Sequence, residues 1–237
     1  MSIECKDISI DEVHVWEIHL KDTLTFSKSR DILSFEELQR ADRYKNENAR
    51  QQFILSRCAL RIILGRYLLI RPSDIVFRYT QHKKPYITDS KKNLHFNISH
   101  SESIAVCAVT LNYHIGVDVE LLKPLDDIFC LAKNILSNAE YDYFIEIPQE
   151  RRLTFFYKAW TRKESFLKAV GTGLLYPIQE IELFAPNTSI SITSSSEQYG
   201  EKVKWYWNEF YIRFLERDYL GTIFVEGSIK NLRFYKF

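Results

Sequence analysis

One short alternating segment, Ile115-Gly116-Val117-Asp118-Val119-Glu120, constrains this chain more than any other. Side chains on a strand alternate between faces, so Ile115, Val117 and Val119 point into a core and Gly116, Asp118 and Glu120 share the other face. Two carboxylates two residues apart repel each other unless a cation lies between them, and the glycine beside them leaves open space. A second segment, Trp160-Thr161-Arg162-Lys163-Glu164-Ser165-Phe166-Leu167-Lys168, repeats Trp160, Glu164 and Lys168 every four residues, one face of a helix. If that helix brings Glu164 up against Asp118 and Glu120, three oxygen donors hold a hard divalent cation such as Mg²⁺, and Lys168 meets a phosphate. Taken separately, the first segment reads more readily as a solvated strand face and the second as an ordinary i,i+4 helix pair. Together, a glycine in a β-branched strand and a carboxylate in an aromatic-rich helix favour a site.

At 237 residues the chain makes one large or two modest domains, and its 7 glycines and 6 prolines argue against long linkers. A net charge of +1 creates no global field for nucleic acid or an acidic membrane. The four cysteines, Cys5, Cys58, Cys107 and Cys130, show no CxxC or metal-finger spacing. No signal-peptide pattern opens the chain and no apolar run is long enough to span a bilayer, so a cytoplasmic protein is expected.

Periodicity predicts a strand over Val13 to Leu20, with Val13, Val15 and Glu17 on one side. A capping box at Ser34 and Glu37 predicts a helix, interrupted at Asn46-Glu47-Asn48 and followed by a longer one from Ala49 to Leu69. Short strands are expected at Ile75 to Tyr79 and Pro85 to Ile87, then Leu94 to Ile98 and Ile104 to Thr110. After Pro124 the pattern is helical: Asp126 to Leu136, a second capping box at Ser137 and Glu140, and a long helix from Pro148 to Val170 closed by Gly171. The rest reads as strands at Ile181 to Phe184, Ile190 to Thr193, Val203 to Trp207, Phe210 to Leu215, Tyr219 to Glu226 and Leu232 to Phe237, with a surface turn at Ser194 to Glu197. This order indicates an α+β fold. Ser99 and His100, after a strand end and near Lys83, Lys84 and Pro85, suit a dianionic phosphate as well as they suit a solvated loop. Of the arginines along the first helices, one or two can reach the same phosphate.

Four motifs, in order, resemble the Sfp-type 4′-phosphopantetheinyl transferases: Lys84-Pro85, Phe96-Asn97-Ile98-Ser99-His100-Ser101, the segment Ile115 to Glu120, and Trp160 to Leu174. The resemblance implies a monomer of two similar α/β halves related by a pseudo-two-fold, 1–113 and 114–237, with coenzyme A between them. It implies transfer of phosphopantetheine to a serine of an apo acyl or peptidyl carrier protein, releasing adenosine 3′,5′-bisphosphate. On the matched positions it places Mg²⁺ at Asp118, Glu120 and Glu164, and the pyrophosphate at Lys168. Lys84 and Pro85 lie by the adenine, Ser99 and His100 by the adenine and 3′-phosphate, and Arg40 and Arg50 are the arginines assigned to that phosphate. Lys83 stands where the family often has glycine, and Gln52 where a basic residue is sought. The serine hydroxyl attacks a phosphorus of the pyrophosphate, and Glu164 directly, or Glu120 through a water, takes its proton. The segment 124–152, with Leu125, Ile128, Phe129, Leu136, Tyr141 and Phe144, is the expected carrier platform, and Lys123, Lys133, Arg151 and Arg152 face an acidic partner. Two alternatives are another Mg²⁺-dependent phosphoryl or nucleotidyl transferase and a non-catalytic carrier-binding protein.

Overall fold

The computed structural model describes residues 7–21, 30–88, 92–171, 177–183, 189–192, 203–227 and 230–237. It divides into two compact units, Met1–Asn112 with Asn231–Phe237, and Tyr113–Lys230. Among the described residues are five α-helices and ten strands, a mixed α/β architecture. The turn expected at Ser194 to Glu197, and Thr172, Gly173 and Leu174 of the last motif, lie outside the described residues.

In the first unit, β1 (Glu12–His19), β4 (Leu94–Ser101), β5 (Ile104–Leu111) and β10 (Asn231–Lys236) form a sheet in the order β10-β1-β5-β4. β2 (Arg78–Tyr79) and β3 (Pro85–Tyr86) make a separate two-stranded ribbon. The last strand runs parallel to the first, Val13 opposite Leu232 and Trp16 opposite Tyr235, so 231–237 belongs to this unit and not to the second half expected from sequence. Arg233 pairs with Glu12 at 2.6 Å and Tyr235 stacks on Trp16, which anchors that strand by side chains as well as backbone.

Helix α1 (Phe35–Asp42) begins at the expected capping box, Ser34 accepting from the Glu37 amide while Glu37 accepts from the Ser34 amide. α2 (Glu47–Leu68) starts earlier than Ala49, because the Asn46 side chain caps it by accepting from the Ala49 amide. Its Ala59, Leu60, Ile63, Leu64 and Tyr67 pack on Trp16 and Ile18 of β1, Phe96 of β4 and Cys107 and Val109 of β5. Arg61, buried where α2 meets α1 and the segment 72–75, donates to Glu37 at 2.7 Å and to the carbonyls of Pro72 and Ile75, so it is a structural cation and not a free phosphate ligand.

In the second unit, β6 (Ile115–Leu121), β7 (Ser189–Ile192), β8 (Val203–Phe214) and β9 (Arg217–Glu226) form an antiparallel sheet in the order β6-β9-β8-β7. β8 is one continuous strand where sequence patterning suggested two, because Asn208 and Glu209 pair with Ile223 and Thr222 of β9 without a break. The described part of the expected strand from Ile181 is not a strand. α3 (Ile128–Ile135) and α4 (Asn138–Glu146), the latter opened by the Ser137–Glu140 capping box, precede α5 (Gln149–Val170). Gly171 ends α5 with φ 82°, a left-handed conformation that favours glycine. α5 lies on the sheet through Phe156, Phe166 and Leu167 against Leu220, Phe224, Trp205 and Trp207.

Candidate functional site

The site in the second unit follows from how α5 crosses β6. A strand advances about 6.7 Å in two residues and a helix about 6 Å in four, so an antiparallel pair of this kind stays in step over several repeats. The contacts run in that antiparallel order. Trp160 Nε1 donates to Glu120 Oε1 at 3.3 Å, Lys168 Nζ donates to Asp118 Oδ1 at 2.7 Å, and Gly116 lies under Ser165 and Ala169. A Cβ on Gly116 would stand 2.0 Å from the Ser165 carbonyl oxygen and 2.4 Å from the Ala169 nitrogen. The glycine therefore admits the helix backbone, and the open space expected beside it is taken.

The face carrying Gly116, Asp118 and Glu120 is thus covered by α5, and Asp118 is only 3% exposed. Thr222, opposite Asp118 on β9, meets Thr161 of α5 hydroxyl to hydroxyl at 2.8 Å and closes the layer behind the carboxylate. Glu164, half-buried between Trp160 and Lys168 along α5, has its carboxyl raised above the usual range. Burial is the main cause, Lys168 opposes it, and the charge of Asp118 adds to it.

Among the described residues, no three His, Cys, Asp or Glu side chains gather closely enough to enclose a metal ion, so the expected cage of Asp118, Glu120 and Glu164 is not preformed. Glu120 leans to Trp160, and the ammonium of Lys168 supplies the positive charge beside Asp118. The donor set still fits Mg²⁺: it is all carboxylate oxygen, and Asp118 and Glu164 are near enough for the charge of one to perturb the other. Mg²⁺ commonly takes only one or two protein carboxylates and completes its shell with water and substrate phosphate.

Lys163, beside Glu164 in sequence, faces the opposite way and is fully buried. Its ammonium donates to the carbonyl of Ile135 at 2.8 Å and pairs with Glu140 at 2.6 Å. Glu140 also accepts from the amides of Ser137 and Leu183. This node ties α5 to α3, α4 and the segment after α5, and it was missed in the sequence because i+1 neighbours on a helix look alike until the layers are known.

The first unit holds the remaining candidates. β4 runs through Ser101, so Ser99 and His100 lie within the strand, paired with Val106 and Ala105, and not in a loop after it. Being adjacent, they project from opposite faces, Ser99 buried and His100 exposed. Lys83 takes φ 64° in the turn of the β2–β3 ribbon, where the Lys83 amide donates to the Thr80 carbonyl. Lysine thus keeps the left-handed backbone that glycine favours. Next to it Lys84 is half-buried, and burial pushes its ammonium down to about 8. Arg40 lies over the Phe53 ring at 5.2 Å and lines a cavity of about 600 Å³ with Glu36, Arg43, Tyr44, Tyr79 and Lys83. Arg50 is drawn to Asp42 at 2.8 Å and to Glu47 at 3.4 Å, and it does not line that cavity.

The expected carrier platform divides in two. Leu136 and Phe144 are core residues, with Leu125, Ile128 and Tyr141 partly buried against them. The exposed apolar residues are Phe129, Leu131, Tyr143 and Ile145. Arg152 lies over the Phe129 ring at 5.3 Å and donates to the Ile145 carbonyl at 2.7 Å. Among the described residues no helix is long and apolar enough to cross a membrane.

Comparison with known proteins matches both halves of the chain. Residues 114–223 match the 4′-phosphopantetheinyl transferase superfamily, and residues 16–112 match the N-terminal domain of a 4′-phosphopantetheinyl transferase. The chain is 39% identical over 178 residues to 4′-phosphopantetheinyl transferase HetI of Nostoc sp., covering 73% of this chain and 74% of that protein. It is 32% identical to 4′-phosphopantetheinyl transferase gsp of Aneurinibacillus migulanus, over 62% of this chain and 59% of the relative. It is 28% identical to 4′-phosphopantetheinyl transferase Sfp of Bacillus subtilis, over 71% and 75%. The chain belongs to the 4′-phosphopantetheinyl transferase family.

Proposed function

We propose that this chain transfers the 4′-phosphopantetheine group of coenzyme A to a serine hydroxyl of an apo acyl or peptidyl carrier protein, leaving adenosine 3′,5′-bisphosphate. The observation that carries the reading is the antiparallel crossing of α5 over β6, which sets Lys168 on Asp118 with Glu164 one turn away. The family uses coenzyme A and generally Mg²⁺. Asp118, Glu120 and Glu164 are the residues that would hold Mg²⁺, which when bound supplies charge neutralisation on the phosphates.

The chain's own residues do the rest. Glu164, its basicity raised by burial, takes the proton of the serine hydroxyl as that oxygen bonds to the β-phosphorus. The bond from that phosphorus to the bridging oxygen breaks, and adenosine 3′,5′-bisphosphate departs with the electron pair. Lys168 neutralises charge on the pyrophosphate oxygens. The adenine and 3′-phosphate fall to Lys84, Pro85, Ser99, His100 and Arg40. The cavity bordered by Arg40, Arg43 and Lys83, with Tyr44 and Tyr79, supports the part given to Arg40. Arg50 is the weaker assignment because two carboxylates already hold it. The exposed apolar residues Phe129, Leu131, Tyr143 and Ile145 of α3 and α4, with Lys133 and Arg151 of the same segment, are where an acidic carrier would dock.

Incubation with coenzyme A, Mg²⁺ and an apo carrier protein, read by intact mass, tests this. A gain of one phosphopantetheinyl group on the carrier supports it; no gain across acyl and peptidyl carriers, with coenzyme A or a nucleotide consumed in another reaction, rejects it.

A further inference from the structure

Trp160 is tied to the candidate metal site by one specific atom. Its indole Nε1–H donates to Glu120 Oε1 at 3.3 Å. The ring is itself fixed, stacked on Phe156 at 6.4 Å between centroids with 19° between planes, and partly buried against the cluster containing Phe144 and Leu220. An indole N–H is a donor only, so it meets an acceptor oxygen of the carboxylate and cannot accept in return. Glu120 sits near the end of β6, and a glutamate reaches its carboxylate through three rotatable bonds. A rigid donor on one oxygen removes most of that freedom.

We propose that Trp160 is a positioning residue for Mg²⁺: its indole N–H pins Glu120 so that the carboxylate is held ready for the ion. This rests on the reading of Glu120 as a metal ligand given above. Partners that orient a ligand in this way typically contribute about ten- to a hundredfold to metal affinity when removed. One hydrogen bond as long as 3.3 Å belongs at the low end of that range.

The test is a double-mutant cycle on Mg²⁺ affinity, measured by calorimetry with the protein saturated in coenzyme A. Trp160→Phe keeps the stacked ring and loses only the N–H. It is expected to weaken Mg²⁺ binding about tenfold, and to raise the Mg²⁺ needed for half-maximal transfer by the same factor with little change in rate at saturating metal. In a Glu120→Gln background the same substitution should add no further loss. Should Trp160→Phe lower the thermal midpoint, benzothienylalanine at this position repeats the test at unchanged volume with sulfur in place of N–H. If Glu120→Gln weakens Mg²⁺ binding and the Trp160 variants do not, the positioning role is refuted and the ligand reading stands. An equal loss in both backgrounds means Trp160 acts through packing, which also refutes it. If Glu120→Gln leaves the affinity untouched, the ligand reading itself fails and takes this inference with it.

Discussion

Adding one methyl group at Gly116 is the sharpest perturbation of the site that the structure allows. The added Cβ would lie 2.0 Å from the Ser165 carbonyl oxygen, whereas a comfortable carbon–oxygen contact is about 3.3 Å, a shortfall of about 1.3 Å. Both this oxygen and the Ala169 nitrogen are backbone atoms of a continuous helix, so no side chain can swing aside. α5 must retreat as a body from β6, and Lys168, now 2.7 Å from Asp118, leaves hydrogen-bonding range. Overpacking of this kind costs about 3 kcal/mol, which lowers Tm by roughly 6–12 °C in a protein of this size. A displacement near 1 Å among reacting groups costs about a hundredfold in rate. Gly116→Ala should therefore lower both the midpoint of thermal unfolding and the rate of carrier modification. A variant within about 0.5 kcal/mol of wild type with full activity would refute the claim that helix and strand backbones touch here.

The Lys84 ammonium, pushed down to about 8 by burial, gives a pH signature. Coenzyme A affinity should fall as pH rises through 8 and lose that step in Lys84→Arg, as a binding titration from pH 6.5 to 9.5 would show. For stability the sign is opposite: between about 8 and the ordinary lysine value the unfolded chain binds more protons, so Lys84 makes stability rise with pH across that window, and Lys84→Met removes the slope. Lys83→Gly should stabilise the fold by about 1 kcal/mol, because lysine carries a left-handed φ of 64° there, and a denaturant midpoint that fails to rise would contradict this. Lys163→Met strands the Glu140 carboxylate in the core and should cost about 3–5 kcal/mol; a loss below about 1 kcal/mol in chemical denaturation would mean Glu140 reaches solvent.

Both capping boxes, the alternation of β6 and the face shared by Trp160, Glu164 and Lys168 were legible in the sequence, because each is set by spacing within one element. What escaped was decided between elements. Gly116 was read as open space beside the carboxylates, and only the position of α5 shows that helix backbone fills the gap. β10 pairs in parallel with β1 across more than two hundred residues, and local pattern holds no trace of such pairing. Phe144 and Leu136 looked like part of a docking platform because their segment is more apolar than a solvated connector needs, yet they pack into the core with Phe156 and Tyr157 of α5. Ser99 and His100 appeared to follow a strand because serine and histidine are weak strand signals, whereas pairing with Val106 and Ala105 carries the ladder through them.

The central claim is that the carboxylates where α5 crosses β6 serve a metal-dependent transfer. The most direct measurement is single-turnover modification of an apo carrier by wild type and by Asp118→Ala and Glu164→Ala, each with and without Mg²⁺, following carrier mass and release of adenosine 3′,5′-bisphosphate together. The account predicts one phosphopantetheinyl group gained for each bisphosphate released, in wild type with Mg²⁺ alone. Transfer that persists in either folded variant, or without a divalent metal, contradicts it.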